Sequence, residues 1–107
     1  MQMQTQTNLP TDELKNGLIK EYFKDGKIAS EGEYHNGKKQ GAWKYYLRNG
    51  NLKATGNYAA GKLTGPWKWF RENGMPRQEG AFENEQKTGR WTTYNMDGTI
   101  SKVQMYK

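Results

Sequence analysis

One spacing governs this chain: four segments of the same design start 24 residues apart. They read GLIKEYFKDG from Gly17, GAWKYYLRNG from Gly41, GPWKWFRENG from Gly65 and GRWTTYNMDG from Gly89. Further columns follow the same period. Ile19, Trp43, Trp67 and Trp91 form one, and Tyr22, Tyr46, Phe70 and Tyr94 another. Gly32, Gly56, Gly80 and Gln104 form a third, and Tyr34, Tyr58, Phe82 and Tyr106 a fourth. A unit this short cannot bury a core alone. Its apolar side chains must be covered by the next copy, so the period sets the architecture before local propensity does.

The turn column reads Asp25-Gly26, Asn49-Gly50, Asn73-Gly74 and Asp97-Gly98. Each pair lies between β-forming residues, which predicts a hairpin closed by a two-residue type I′ turn. Links such as HNGKKQ (35–40) and AAGKLT (59–64) lead to the next hairpin. The expected fold is all-β: a single-layer antiparallel meander of four 24-residue hairpins, in repeats 17–40, 41–64, 65–88 and 89–107. Gln104 breaks the glycine column where no further strand follows, as expected of a terminal cap. Residues 1–16 read as a polar tail, in which Thr11 with Asp12 and Glu13 could open a short capping helix.

Composition fits a thin sheet. Only 33% of residues are hydrophobic, while 13% are aromatic and 13 are glycine. Mean hydropathy is -1.19, too low for an aliphatic two-layer core. No cysteine is present, which removes disulfides and thiolate metal sites. No apolar run approaches the roughly 20 residues of a membrane helix. The start, MQMQTQTNLP, lacks the basic and apolar regions of a signal peptide, so a soluble cytoplasmic chain is expected. An exported form whose signal had been removed would read the same way.

Counting outward from Asn49-Gly50 places Arg48 opposite Asn51, Leu47 opposite Leu52, Tyr45 opposite Ala54, Trp43 opposite Gly56 and Gly41 opposite Tyr58. The next repeat sets Trp67 opposite Gly80 and Gly65 opposite Phe82. Large rings thus face glycine or alanine, and the glycines read as sockets in which Trp43 would lie over Gly56. The alternate face carries Tyr22, Tyr46, Phe70 and Tyr94 beside Lys44, Lys53, Lys68, Arg77 and Arg90.

The string EGEYHNGKKQGAWKYYLRNG resembles the MORN repeat, whose pattern runs Gly-x-Tyr-x-x-Gly-x-x-x-Gly and closes on an Asp/Asn-Gly turn. Gly32, Tyr34, Gly37, Gly41, Tyr46 and Gly50 fill its places, and Gly56, Tyr58, Gly61, Gly65, Phe70 and Gly74 fill them again. The period is one residue longer than the common form, and Trp stands at 43, 67 and 91 in place of a second glycine. Both departures are similar to the bacterial variant group labelled YwqK-type antitoxin. The resemblance implies a curved hairpin sheet used for interaction, with a protein, a second copy or an acidic lipid as partner. It carries no catalytic residue and no cofactor.

The residues themselves point the same way. His35 is the only histidine and sits in a polar link, where a solvated role is the simpler reading. Asp25 and Asp97 occupy turn positions that alternate with Asn, so their role is conformational. Glu31, Glu33, Glu79 and Glu83 read as partners for lysines rather than as paired acids. NGKKQG lacks the spacing and the following helix of a phosphate loop. Net charge is +6, and from Lys38 to Arg71 there are eight basic residues and no acid. That excess makes an acidic partner plausible. The ring ladder beside it allows two readings: a ligand platform, able even to stack single-stranded bases, or rings that hold each other under lysine stems. The expected function is non-catalytic protein binding, with acidic-lipid docking and weak nucleic-acid binding as alternatives. The expected contact face is Lys44, Tyr46, Lys53, Lys68, Phe70 and Arg77.

Overall fold

A computed structural model describes residues 14–107. The possible helix at Thr11–Glu13 lies outside the described residues. Eight strands follow one another: β1 (Gly17–Tyr22), β2 (Ile28–His35), β3 (Lys38–Tyr46), β4 (Leu52–Ala59), β5 (Lys62–Phe70), β6 (Pro76–Glu83), β7 (Gln86–Tyr94) and β8 (Ile100–Tyr106). They form one open antiparallel sheet in chain order, with β1 and β8 at its edges. The molecule measures 54 × 35 × 19 Å. All described elements are strands, as the repeat predicts.

The type I′ geometry expected at the tips is found in the links instead. At the tip after β3, the Leu47 amide donates to the Asn51 carbonyl at 2.8 Å and the Gly50 amide to Leu47 at 2.9 Å. Only Gly50 of the Asn49-Gly50 pair has positive φ, at 92°. This is a three-residue loop, a type I turn closed by a left-handed glycine, and not the expected type I′. Asn49 instead bonds the Asn51 amide through its side chain at 2.8 Å, and Asn73, Asp25 and Asp97 do the same at the other tips. The two-residue type I′ geometry sits in the links. Asn36-Gly37, Ala60-Gly61 and Asn84-Glu85 have positive φ at both positions. They close the pairs His35–Lys38, Ala59–Lys62 and Glu83–Gln86.

The longer loop should move every pair by one, yet the expected register survives over most of the hairpin. Tyr45 faces Ala54, Trp43 faces Gly56 and Gly41 faces Tyr58. Near the tip it does not: Leu47 pairs with Asn51 rather than Leu52, and Leu52 faces Tyr46. Lys53 is the extra residue of a bulge that restores the count. Ala29, Arg77 and Ser101 are extra in the same way in the other hairpins. The bulge compensates for the turn in every repeat.

A second break lies between hairpins. β2 pairs Gly32 with Trp43 and then Glu33 with Gln40, which leaves Gly41 and Ala42 out of the ladder. Gly41 takes φ +75° there, and Gly65 and Gly89 take +63° and +69° at the equivalent places. A Cβ on Gly41 would meet nothing within 4 Å, so Gly41 is not a socket for a ring. It is glycine because the backbone crosses into the left-handed region.

Candidate functional site

The sheet has two faces of different character, and the Trp face is the one that is filled. Trp43, Trp67 and Trp91 are 1%, 5% and 3% exposed, although no second layer covers them. Their sockets belong to the preceding repeat. A Cβ on Gly32 would stand 2.2 Å from the Trp43 ring, one on Gly56 2.1 Å from Trp67, and one on Gly80 2.1 Å from Trp91. Trp43 therefore faces Gly56 in register but leans back over Gly32, and the socket at Gly56 holds Trp67. Each indole N–H then donates to the carbonyl after that glycine: Trp43 to Glu33 at 3.0 Å, Trp67 to Asn57 at 3.1 Å and Trp91 to Ala81 at 3.1 Å. Those carbonyls stand where the ladder breaks.

Rings and lysine stems do the covering. Tyr34, Trp43, Tyr45, Tyr58, Trp67, Trp69, Phe82, Trp91 and Tyr106 form one connected chain. Tyr45 and Trp69 stack on the tryptophans at 5.7 to 6.4 Å, while Tyr58 and Phe82 meet them edge-on. Such pairs add about 0.5–1.5 kcal/mol each beyond burial. Lys39 and Lys87 each lie 4.7 Å from the ring centroids of Trp43 and Trp91. Lys15 lies 4.9 Å over Tyr34. The same column puts Leu63, not a lysine, between Lys39 and Lys87. Tyr45 and Tyr58 share a hydrogen bond of 2.6 Å, and burial pushes both phenols above the ordinary tyrosine range.

The opposite face is polar and ordered in rows. One row crosses all eight strands: Lys20, Glu31, Lys44, Thr55, Lys68, Glu79, Thr92 and Val103. Lys68 and Glu79 form an ion pair at 3.7 Å. The ring ladder is tied to this row. The Tyr46 hydroxyl donates to Glu31 at 2.6 Å and the Tyr94 hydroxyl to Glu79 at 2.9 Å. That bond to a carboxylate pushes Tyr46 up to about 12 and raises Tyr94 as well. Phe70, with no hydroxyl, has Lys68 5.4 Å from its centroid. A groove of about 760 Å3 runs over this face past Thr55, Lys68, Arg90, Thr92 and Tyr94.

Of the six residues expected to meet a partner, Lys44, Tyr46, Lys68 and Phe70 alternate onto this face together. Lys53 and Arg77 are the bulge residues at the tip end. With Phe70 they line a second pocket, of about 470 Å3. Sequence reasoning read Glu31 and Glu79 as lysine partners without placing them on the face. Glu79 faces Lys68 within the hairpin, where the expected register already puts it, and Glu31 faces Lys44 across the link, where carrying the register on would have found it. Sequence reasoning missed Arg71, which turns out to line the tip pocket. His35 is exposed at the end of β2. Among the described residues no group of three or more His, Cys, Asp or Glu is placed to hold a metal ion, and no helix is long and apolar enough to cross a membrane.

Comparison with known proteins agrees with the repeat. No curated protein matches the chain. The family model described as the MORN repeat variant matches residues 15–36, 39–60 and 63–84, well over half of the chain. The fourth hairpin, with Gln104 in the glycine column, lies outside the matched segments. Repeats of this kind are generally non-enzymatic units that mediate protein or membrane interactions. The matched segments start 24 residues apart, as the period does, and the chain belongs to the MORN repeat variant family.

Proposed function

We propose that this chain is a non-catalytic protein-binding module whose partner lies along the Tyr/Phe face of the middle repeats. The observation that supports it is the groove of about 760 Å3 on that face, which presents Lys68 from β5 with Arg90 and Tyr94 from β7. The Trp face has its rings already covered, and the Tyr/Phe face holds its polar groups in fixed rows. The carboxylates of Glu31 and Glu79 beside the rings count against a nucleic-acid strand or a flat anionic membrane there, since both would bring phosphates against them.

The test is affinity capture from the source cell, repeated with Lys44→Gln, Lys68→Gln and Arg90→Gln combined. A partner held by the wild type and lost by the folded triple variant supports the reading. Equal recovery moves the contact to the Trp face or the edges. Salt-sensitive flotation with anionic vesicles, in place of a protein, would replace the reading with membrane docking. In its narrower form the partner is a toxin that this chain neutralises. That form rests on likeness to the YwqK-type group, and it requires that co-expression with the captured partner restore growth.

A further inference from the structure

At the tip between β5 and β6 the repeat departs from its own pattern, and the departure has a cost. The residue that opens each tip loop is Phe23, Leu47, Arg71 and Asn95 in turn. Two of these are apolar, and Arg71 is a guanidinium in the same place. Its backbone does what Leu47 does: the amide donates to Met75 at 2.7 Å and the carbonyl accepts from Gly74 at 2.9 Å. Its Nη2 donates to the Tyr94 carbonyl of the next hairpin at 2.8 Å. Its Nε–H is buried and meets no acceptor, alone among the buried side-chain polar atoms of the described residues. A leucine there would bury no unsatisfied donor and would give up only the bond to the Tyr94 carbonyl, so packing alone does not account for the arginine.

Arg71 is one of three cations around the pocket of about 470 Å3; the others are Lys53 and Arg77. None of the three is in an ion pair among the described residues. The one acid on the lining is Glu72, and its backbone carbonyl accepts from the side chains of Asn49 and Asn51 at 3.1 and 2.8 Å. The walls are apolar: Leu47, Trp69 and Phe70, with Met96 at 71% exposure on the lining as well. The two bulges place Lys53 and Arg77 here, so the feature that repairs the register also assembles the cations.

From this arrangement we propose that the tip pocket binds a carboxylate of a partner protein, an acidic side chain or chain end flanked by an apolar residue. The carboxylate pairs with Arg71, Arg77 and Lys53, and the neighbouring side chain packs on Trp69 and Phe70. Guanidinium forks suit a planar carboxylate, and apolar walls strengthen the attraction by lowering the local dielectric. A protein segment fits better than a lipid surface. The tips also carry Asp25 and Asp97, which a flat anionic membrane would meet and a single inserted carboxylate would not. The inference rests on the protein-binding reading above and names the chemistry of one of its contacts.

The probe is a displayed library of short random peptides, selected on the full chain and then measured singly. The expected peptides place Asp, Glu or a free C-terminus beside Leu, Phe or Trp. Binding should weaken at least about tenfold in Arg71→Leu, and as much when the peptide carboxylate is made an amide. Arg71→Leu copies the preceding repeat and should melt no lower than the wild type, which separates a binding loss from unfolding. Should it fail to fold, Lys53→Gln with Arg77→Gln gives the same comparison at exposed positions. Peptides without acidic enrichment, or equal affinity for Arg71→Leu, overturn the pocket. If selected peptides depend on Lys44 and Arg90 instead, the pocket falls and the protein-binding reading stands. If no peptide is enriched, both fall. Arg71-dependent binding to anionic vesicles but to no peptide makes the site a lipid site and overturns the proposal.

Discussion

A side chain at Gly56 would have to occupy space that the Trp67 indole already fills, 2.1 Å from where a Cβ would stand. The ring cannot retreat without giving up its hydrogen bond to Asn57. Gly56→Val should therefore destabilise by about 1–3 kcal/mol or more and red-shift the tryptophan emission, as shown by denaturant melts followed by fluorescence. Gly41→Ala tests a different requirement, because its Cβ would enter open space but at φ +75°. It should cost only about 1 kcal/mol and leave the emission unchanged. At Tyr46 the relevant variable is pH. Its folded pKa, about 12, lies above the ordinary phenol value of 10.0. The folded state holds that proton more tightly, so the stabilisation is fully present below pH 10 and is lost as pH rises through 12. Urea midpoints should fall over that window, and fall less in Tyr46→Phe.

Among the elements, the turns show best what could be read in advance. The hairpin tips and the eight strands were legible because Asn/Asp-Gly recurs in one column and alternation flanks it. The turn type was not legible. Asn-Gly suits type I′ and also the type I loop with a left-handed glycine, and the bulge after it needs no distinctive residue: Ala29, Lys53, Arg77 and Ser101 all occupy it. The two errors cancel, so the pairs from Tyr45–Ala54 outward were right while Leu47–Leu52 was not. Of the candidate face, Lys44, Tyr46, Lys68 and Phe70 followed from alternation alone. Glu79 opposite Lys68 follows from the expected hairpin register, while Glu31 and the true owner of each Trp socket did not follow, because they are set across the links. In those links Glu85 stands at φ 69°, where Gly37 and Gly61 stand in the earlier repeats. Relieving a left-handed glutamate outweighs the added chain entropy of glycine, so Glu85→Gly should raise stability by about 0.5–1 kcal/mol in thermal melts.

Across the whole molecule each strand pairs only with its chain neighbours, so stability is close to a sum of hairpins and the seams between them. The seams are the indole sockets. Gly80→Val removes the one between the third and fourth hairpins by displacing Trp91. Hydrogen exchange should then show β7 and β8 losing protection while β2 to β5 keep theirs, a sub-global opening. Loss spread evenly over the sheet would mean that the array unfolds as one unit. The outer hairpins depart from the columns, with Ile19 in the Trp column facing Gly32 and Gln104 in the glycine column facing Trp91.

Because each of the three socketed indoles reaches back, the array has a direction. A hairpin leaving the ribosome displays a bare glycine groove before the tryptophan that will fill it has been made. Each new unit thus meets a finished docking place, and assembly proceeds as a zip drawn from the amino to the carboxyl end. Loss of a unit from the carboxyl end leaves only an empty groove, whereas loss from the amino end strands an indole in water. Growth and shortening of such arrays are therefore cheapest at the carboxyl end.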